Sequence, residues 1–84
     1  LYIEGMRDYR CIHKTKDKIL TLQTFTELER ELPDNAFCRV HKSFIVAIGK
    51  IESIERSRIR IRDKLIPVSD SFRQRFNQVI GLKQ

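Results

Sequence analysis

Apolar and polar residues alternate over most of this chain, a pattern typical of short, half-buried β-strands. Polar bends or turns separate the alternating runs, and the first two runs flank the bend Gly5–Asp8. The alternation predicts strands over residues 1–5, 9–14, 19–22, 51–54, 57–62 and 65–68. Because these strands do not alternate with helices, we expect a mostly β fold with antiparallel pairing.

One internal helix interrupts the strands. Thr24 and Glu27 have the spacing of a capping box, in which each side chain binds the backbone N–H of the other residue. Apolar residues then recur three and four positions apart, at Phe25, Leu28 and Leu32, and Pro33 ends the helix. A second helix is expected at the C-terminus over 71–82, with Ser69 or Ser71 as its N-cap. Its apolar face would comprise Phe72, Phe76, Val79 and Ile80.

The stretch Phe37–Val46 reads FCRVHKSFIV and does not fit a straight strand. In a continuous strand, Lys42 would share one face with the apolar residues Val40 and Phe44. Burying an unpaired ammonium group there would be costly. We therefore expect a bend or bulge around His41–Ser43 that turns Lys42 outward and forms a projecting contact surface.

Length and charge limit the possible functions. The 84 residues suffice for one small domain, and a hydrophobic content of 40% is typical of globular chains. The longest uncharged apolar run, Phe44–Ile48, is far shorter than the ~20 residues of a membrane helix. The net charge is +6, of which +5 lies in residues 43–84, so the excess is concentrated. A lopsided basic domain indicates a polyanionic partner, first nucleic acid and then an anionic membrane.

Cysteine usage and the start of the chain bear on its cellular context. Cys11 and Cys38 lie far apart in apolar stretches, without the close spacing of a metal or redox motif. We expect two reduced, packed thiols, which favours a cytoplasmic location. The chain begins inside a predicted strand and without methionine, so we expect a domain fragment.

Catalytic and metal-binding patterns are weak. Ser43 and His41 would alternate onto one strand face, but no glycine elbow or nearby acid marks an activated nucleophile. His13 lies near a strand end, where a surface or half-buried histidine is the simpler interpretation. Neither a glycine-rich phosphate loop nor metal-ligand spacing is present in the sequence. We expect no enzyme activity, cofactor, metal or small-molecule substrate.

Arginines at alternate positions 58, 60 and 62 allow two interpretations. A charged outer face keeps an antiparallel sheet soluble and protects an edge strand. A strip of phosphate contacts would instead add affinity without sequence information. The sequence leaves both open.

The segment from Phe37 to Val46 resembles the signature of the LytTR family of DNA-binding domains. Other segments resemble the same family in the same order along nearly the whole chain: Tyr2–Glu4 with Asp8–Tyr9, Phe25–Leu28, Lys50–Ile54 and Leu65–Ser69. The resemblance implies about ten short strands in small antiparallel sheets, one short internal helix and a short C-terminal helix. It also implies that residues 1–84 lack the family's first strand and an upstream receiver domain.

The resemblance further implies the output domain of a bacterial two-component response regulator that controls transcription. Such domains bind double-stranded DNA in pairs at repeated promoter sites, reading successive major grooves with loops. The matching positions fall in three loops, and the candidate contact residues there are Arg7, Tyr9, His41, Lys42, Ser43, Ser69, Ser71 and Arg73. Of these, Lys42 is the principal candidate for a base or adjacent phosphate contact, His41 would position the bend, and Arg39 would support the strand.

Two positions depart from the family pattern. Ala47 stands where many members carry asparagine, and Asp70 stands where many carry arginine. Aspartate cannot make a bidentate contact to guanine and would repel phosphate unless it accepts a hydrogen bond from cytosine N4. The third loop is therefore expected to contact the DNA backbone through Ser69, Ser71 and Arg73.

Two other function classes remain open. A non-catalytic β-module that binds a protein or an anionic membrane surface is the first alternative, and the same DNA-binding domain in a membrane-anchored regulator is a variant of the main interpretation. A hydrolase that uses His41 is the second.

Overall fold

Antiparallel strands form two sheets in the computed structural model, which describes the backbone of residues 1–83 and the side chains of residues 1–81. The strands are Tyr2–Gly5 (β1), Arg10–His13 (β2), Lys18–Thr21 (β3), Phe37–His41 (β4), Phe44–Ala47 (β5), Ser53–Glu55 (β6), Arg58–Ile61 (β7) and Lys64–Pro67 (β8). Sheet A has the order β3-β2-β1-β5-β4, and sheet B has the order β6-β7-β8.

Two helices complete the fold: Phe25–Glu31 (α1), between the first three strands and β4, and Asp70–Lys83 (α2), after β8. A single 3-10 turn, Ile48–Lys50, links the two sheets. Its first N–H donates to the carbonyl of Ala36 at 2.9 Å, which ties this link back to the start of β4.

Sheet A is covered on both faces around β5, which explains why the sequence of β5 is continuously apolar. The consecutive residues Ile45 and Val46 point to opposite faces, and both are buried. Ile45 packs with Phe25 and Leu28 of α1. Val46 packs in the larger core with residues of β4, sheet B and α2: Cys38, Val40, Ile59, Ile61, Ile66, Val68, Phe76 and Val79.

The predicted mostly β fold with antiparallel sheets is confirmed, as are the internal helix and the C-terminal helix. The strand count is lower than the ten expected, since the described residues form eight strands. Residues 48–52 form the 3-10 turn and a short link between the sheets, so they add no strand. The C-terminal helix spans 14 residues, longer than the short helix expected.

The stretch Phe37–Val46 is a β-hairpin, and not a single bent strand. The chain reverses at Lys42–Ser43, so that β4 and β5 pair antiparallel. A register shift between Arg39 and His41 leaves Val40 as an extra residue on β4. The break in the alternation therefore lies at the predicted position, and Lys42 is exposed as expected. The chain does not merely bend there, however, but reverses its direction.

The capping box at the start of α1 is present as predicted. The Thr24 hydroxyl accepts from the Glu27 N–H at 3.1 Å, and the Glu27 carboxylate accepts from the Thr24 N–H at 2.9 Å. The hydrogen bond from the Thr24 backbone holds the pKa of Glu27 below its usual value. The stabilisation from Glu27 is therefore complete above the usual pKa of glutamate and is lost as the pH falls through the lowered pKa.

Replacing Thr24 with alanine is expected to lower the free energy of unfolding by about 1 kcal/mol at neutral pH, because the N-cap acceptor is lost. The difference between Glu27→Gln and wild type should shrink as the pH falls from the usual pKa of glutamate through the lowered pKa, since first the unfolded chain and then the folded protein binds the proton. Urea unfolding at pH 7 and at pH 3.5 measures both effects. A Glu27→Gln effect that grows on acidification would contradict the assignment.

Both cysteines are buried and unpaired, as expected for reduced thiols packed as small apolar groups. Burial raises the pKa of the Cys38 thiol, which favours its neutral, less reactive form. No helix in the part of the chain that the structure describes is both long enough and apolar enough to cross a membrane.

Candidate nucleic-acid interface

The side chain of Arg39 holds the β4–β5 turn. The Arg39 guanidinium donates to the carbonyl of Lys42 at 2.8 Å and to the carbonyl of His41 at 3.3 Å. It also lies over the ring of Phe25 in α1, 4.7 Å from the centroid, and over the ring of Phe72 in α2, 5.2 Å from the centroid. Arg39 thus fixes the backbone of the turn against both helices, which fits its predicted role as a supporting residue.

The ring of His41 also fixes this turn. Its Nδ1 accepts the N–H of Ser43 at 3.0 Å, and its ring packs edge-on against Phe44 with centroids 5.7 Å apart. With Nδ1 as acceptor, the neutral ring carries its proton on Nε2. The predicted role of His41 in shaping the bend therefore has a geometric basis. The hydrogen bond goes to the main chain of Ser43, and not to the hydroxyl that a His–Ser nucleophile would require.

The first predicted loop joins the turn at Gly5. The Gly5 N–H donates to the carbonyl of Ser43 at 2.7 Å, and the loop closes through the Met6 N–H and the Tyr9 carbonyl at 2.8 Å. A Cβ atom on Gly5 would lie 2.8 Å from Cε2 of Phe25 and 3.4 Å from Cα of Ser43. Only glycine allows the end of β1 to approach both elements this closely.

The third predicted segment is attached to β4 just before the turn. The Ser69 N–H donates to the carbonyl of Val40 at 2.9 Å, so the residue that precedes α2 is attached to the end of β4. Phe72, one turn into α2, contacts Arg39 as described above. The loop after β8 therefore reaches the turn through backbone and side-chain contacts.

All three predicted segments are thus brought together around Lys42–Ser43. Within them, Arg7, Lys42, Ser71 and Arg73 are exposed, whereas Tyr9, His41, Ser43 and Ser69 are half-buried. The Arg73 guanidinium lies 2.9 Å from the Asp70 carboxylate, and both side chains are open to solvent. Asp70 occupies the first turn of α2, where a negative charge is favourable. It also partly neutralises Arg73, which together with Ser71 lies at the start of α2 and not, as predicted, in the loop before that helix.

Sequence reasoning did not anticipate the roles of Gly5, Phe25 and Arg10. The sequence places Phe25 on the apolar face of the predicted helix, and the structure adds that its ring lies beneath two guanidinium groups, those of Arg39 and Arg10. An isolated glycine at a strand end, directly before a polar bend, was the one signal that could have indicated the close approach at Gly5. The pairing of Arg10 with Phe25 depends on tertiary packing and has no sequence signature.

The arginines of the alternating segment lie on sheet B. Arg58 and Arg60 are exposed on β7, with Ile59 and Ile61 buried on the other face, as the alternation predicted. Arg62 leaves the strand at a positive φ of 56° and donates to the Thr15 carbonyl at 2.9 Å. Since β7 is the central strand of its sheet, edge protection does not account for these side chains.

Metal coordination has no geometric support in the part of the chain that the structure describes. No group of three or more histidine, cysteine, aspartate or glutamate side chains is placed there to hold an ion. His13 forms an ion-pair geometry with Glu4 at 3.3 Å and stacks on Tyr2 with ring centroids 4.3 Å apart. These contacts fit the expected structural role of His13.

Comparisons with known proteins agree with this geometry. The model of the LytTr DNA-binding domain family matches residues 1–81. A solved LytTr DNA-binding domain from Bacillus cereus, from a protein described as a methyl-accepting/DNA response regulator, superposes with a TM-score of 0.86 at 26% sequence identity. The match covers 95% of this chain and 79% of that one. No curated protein matches significantly. Since the family match spans nearly the whole chain, this protein belongs to the LytTR family of DNA-binding domains.

Proposed function

We propose that this domain binds DNA sequence-specifically and controls transcription as the output domain of a bacterial two-component response regulator. The observation that carries the proposal is the joining of three loops around the exposed Lys42, through the Gly5–Ser43 and Val40–Ser69 hydrogen bonds. In the described part of the chain, no carboxylate lies within ion-pair distance of the Lys42 ammonium group. A free cation at the tip of a hairpin whose turn is held by hydrogen bonds of Arg39 and His41 suits an anionic partner.

In this proposal Lys42 contacts a base edge or the adjacent phosphate in the major groove. Nε2 of His41 offers a second donor beside it, with the hydroxyl of Ser43. Arg7 and Tyr9 make contacts from the first loop. Residues of the third loop, Ser69, Ser71 and Arg73, contact phosphates, and Arg73 exchanges its partner Asp70 for a phosphate oxygen. Phosphate contacts orient the protein, and base contacts provide the discrimination.

The wider context follows from family membership and belongs to the same proposal. The domain acts in the bacterial cytoplasm, joined to a receiver domain in the same chain. Residues 1–84 are then one part of that regulator. Two copies bind repeated promoter sites as a homodimer on DNA. The function is non-catalytic and takes no cofactor and no small-molecule substrate.

Replacing Lys42 with alanine is expected to reduce discrimination between a selected site and a scrambled duplex by about 1–3 kcal/mol, or roughly fivefold to 150-fold. The measurement is fluorescence anisotropy with a duplex obtained by in vitro selection on the wild-type domain. Lys50→Ala is the matched control. Lys50 is exposed in the 3-10 turn, at the opposite end of β5 from Lys42. Its replacement therefore removes the same charge at a position away from the three loops.

Equal losses of discrimination in the two variants would mean that Lys42 contributes only its positive charge and not a specific contact. Binding that does not depend on sequence in the wild type would contradict the proposed function. Association with anionic vesicles without any binding to duplex DNA would favour a membrane-binding module instead.

A further inference from the structure

A hollow of about 370 Å³ lies beside the β4–β5 turn, between the end of β1, the start of α1 and the hairpin. It opens to solvent next to Lys42. The residues that line it include Gly5, Arg10, Thr26, Arg39, Lys42 and Ser43. Three of the lining residues are basic and none is acidic, so the lining itself carries a net positive charge.

Arg39 contributes charge to the hollow, but its donors are largely occupied. Its guanidinium donates to the carbonyls of His41 and Lys42, and Nη1 lies 3.5 Å from the Glu29 carboxylate. Lys42 is exposed and retains all three of its ammonium donors for an outside partner. A ligand in the hollow would therefore bind Lys42 and the remaining arginine.

Arg10 is that arginine, and it has no compensating partner. Its side chain is half-buried, and its Nε atom is buried without a hydrogen-bond partner among the described residues. In that part of the chain no carboxylate lies within ion-pair distance of its guanidinium either. A buried donor that lacks an acceptor is destabilising, and arginine is rarely buried unless it is paired.

The ring of Phe25 does not explain this arrangement. The Arg10 guanidinium carbon lies 5.5 Å from the ring centroid, whereas that of Arg39 lies 4.7 Å from the same centroid. Two like charges gathered on one ring repel each other, and a cation–π contact satisfies no N–H donor. An anion in the hollow would relieve the repulsion between the two guanidinium groups and would accept hydrogen bonds from the terminal Nη atoms of Arg10, since the buried Nε is out of its reach.

We propose that this hollow is a phosphate-binding site, with Arg10 and Lys42 as its ligands and Arg39 as a supporting charge. Phosphate suits the site because its several acceptor oxygens match the guanidinium fork of Arg10 and the ammonium group of Lys42 together. Two sources share this chemistry, a phosphodiester of the DNA backbone and free inorganic phosphate. The first rests on the proposed function, and the second does not.

The free-phosphate arm uses the wild-type domain, Arg10→Gln, Arg10→Lys and the control Arg30→Gln. Arg30 is exposed on α1 and does not line the hollow, so its replacement removes one positive charge elsewhere. Inorganic phosphate is titrated against chloride at constant ionic strength, and the amide resonances of Gly5, Thr26 and Ser43 are followed by NMR. Saturable shifts are expected in the wild type and in Arg30→Gln, with weaker shifts in Arg10→Lys and none in Arg10→Gln. The wild-type titration stands even if Arg10→Gln does not fold.

The DNA arm measures how affinity for the selected duplex depends on salt. Loss of one phosphate contact should reduce the magnitude of the slope of log affinity against log salt by about 0.9. We expect this change in Arg10→Gln, with affinity for selected and scrambled duplexes falling by the same factor. Arg30→Gln should keep the wild-type slope.

The outcomes separate the sources. A changed salt slope in Arg10→Gln supports a DNA phosphodiester in the hollow, and saturable NMR shifts without a changed slope support free phosphate only. Absence of both effects overturns the proposal, even if Lys42→Ala loses discrimination and the proposed function stands. If the wild type binds no duplex, the proposed function fails, and the NMR titration alone decides on the phosphate site.

Discussion

Replacing Arg39 with alanine is expected to lower the free energy of unfolding by about 3 kcal/mol, through two charged hydrogen bonds and the aromatic contacts together. Affinity for the selected duplex should fall at least tenfold in the protein that remains folded. The physical reason is that Arg39 holds the Lys42 and His41 carbonyls at 2.8 and 3.3 Å while it packs on Phe25 and Phe72. Without it, the hairpin tip loses its attachment to both helices.

Arg39→Lys and Arg30→Ala make this prediction specific. A lysine keeps the charge but lacks the planar fork, so it cannot bind both carbonyls and stack at once. We expect Arg39→Lys to recover less than half of the lost stability, and Arg30→Ala to stay close to wild type in urea unfolding and in anisotropy. Full recovery by lysine would mean that charge alone is required, and it would contradict the geometric role of Arg39.

Replacing Gly5 with alanine is expected to destabilise the domain by about 1–3 kcal/mol, because the added methyl group overpacks a closed contact. The new Cβ atom would lie 2.8 Å from Cε2 of Phe25, so the ring or the end of β1 has to move. Movement of β1 also lengthens the Gly5–Ser43 hydrogen bond, which is 2.7 Å in the structure. The first loop should then lose its alignment with the turn, and DNA affinity should fall even where the fold persists.

Gly49→Ala is the control, because no atom lies within 4 Å of a Cβ built at that position. Thermal unfolding and anisotropy of the two variants measure the effect of crowding at Gly5 separately from the effect of a glycine-to-alanine change. A Gly5→Ala variant with wild-type stability and affinity would show that the contact with Phe25 yields easily. The loops would then not depend on this close approach.

Both predictions concern residues that hold the candidate contact surface in place without being its proposed contact residues. Arg39 and Gly5 fix the backbone of the Lys42–Ser43 turn, whereas Lys42 itself projects into solvent. The expected losses therefore arise from misplaced loops. The Lys42→Ala variant should in contrast keep wild-type stability, since an exposed turn lysine makes few contacts with the rest of the protein.

Local structure followed closely from the sequence. Alternation places Ile59 and Ile61 in the core and Arg58 and Arg60 outside, and the Thr24–Glu27 spacing marks the start of α1. These features depend on neighbours within a few residues, where strand periodicity and helix capping act. The failure of parity at Lys42 was visible for the same reason, although it did not distinguish a bend from a hairpin. Both place Lys42 outside, and only strand pairing separates them.

The sequence by itself determined the family, the order of the elements and the positions of three polar loops along the chain. Tertiary structure alone decided that these loops meet, because the Gly5–Ser43 and Val40–Ser69 hydrogen bonds join residues distant in sequence. It also decided that Arg10 and Arg39 share the ring of Phe25. Such contacts depend on how sheet A and the two helices pack, and packing leaves no periodic pattern in the chain.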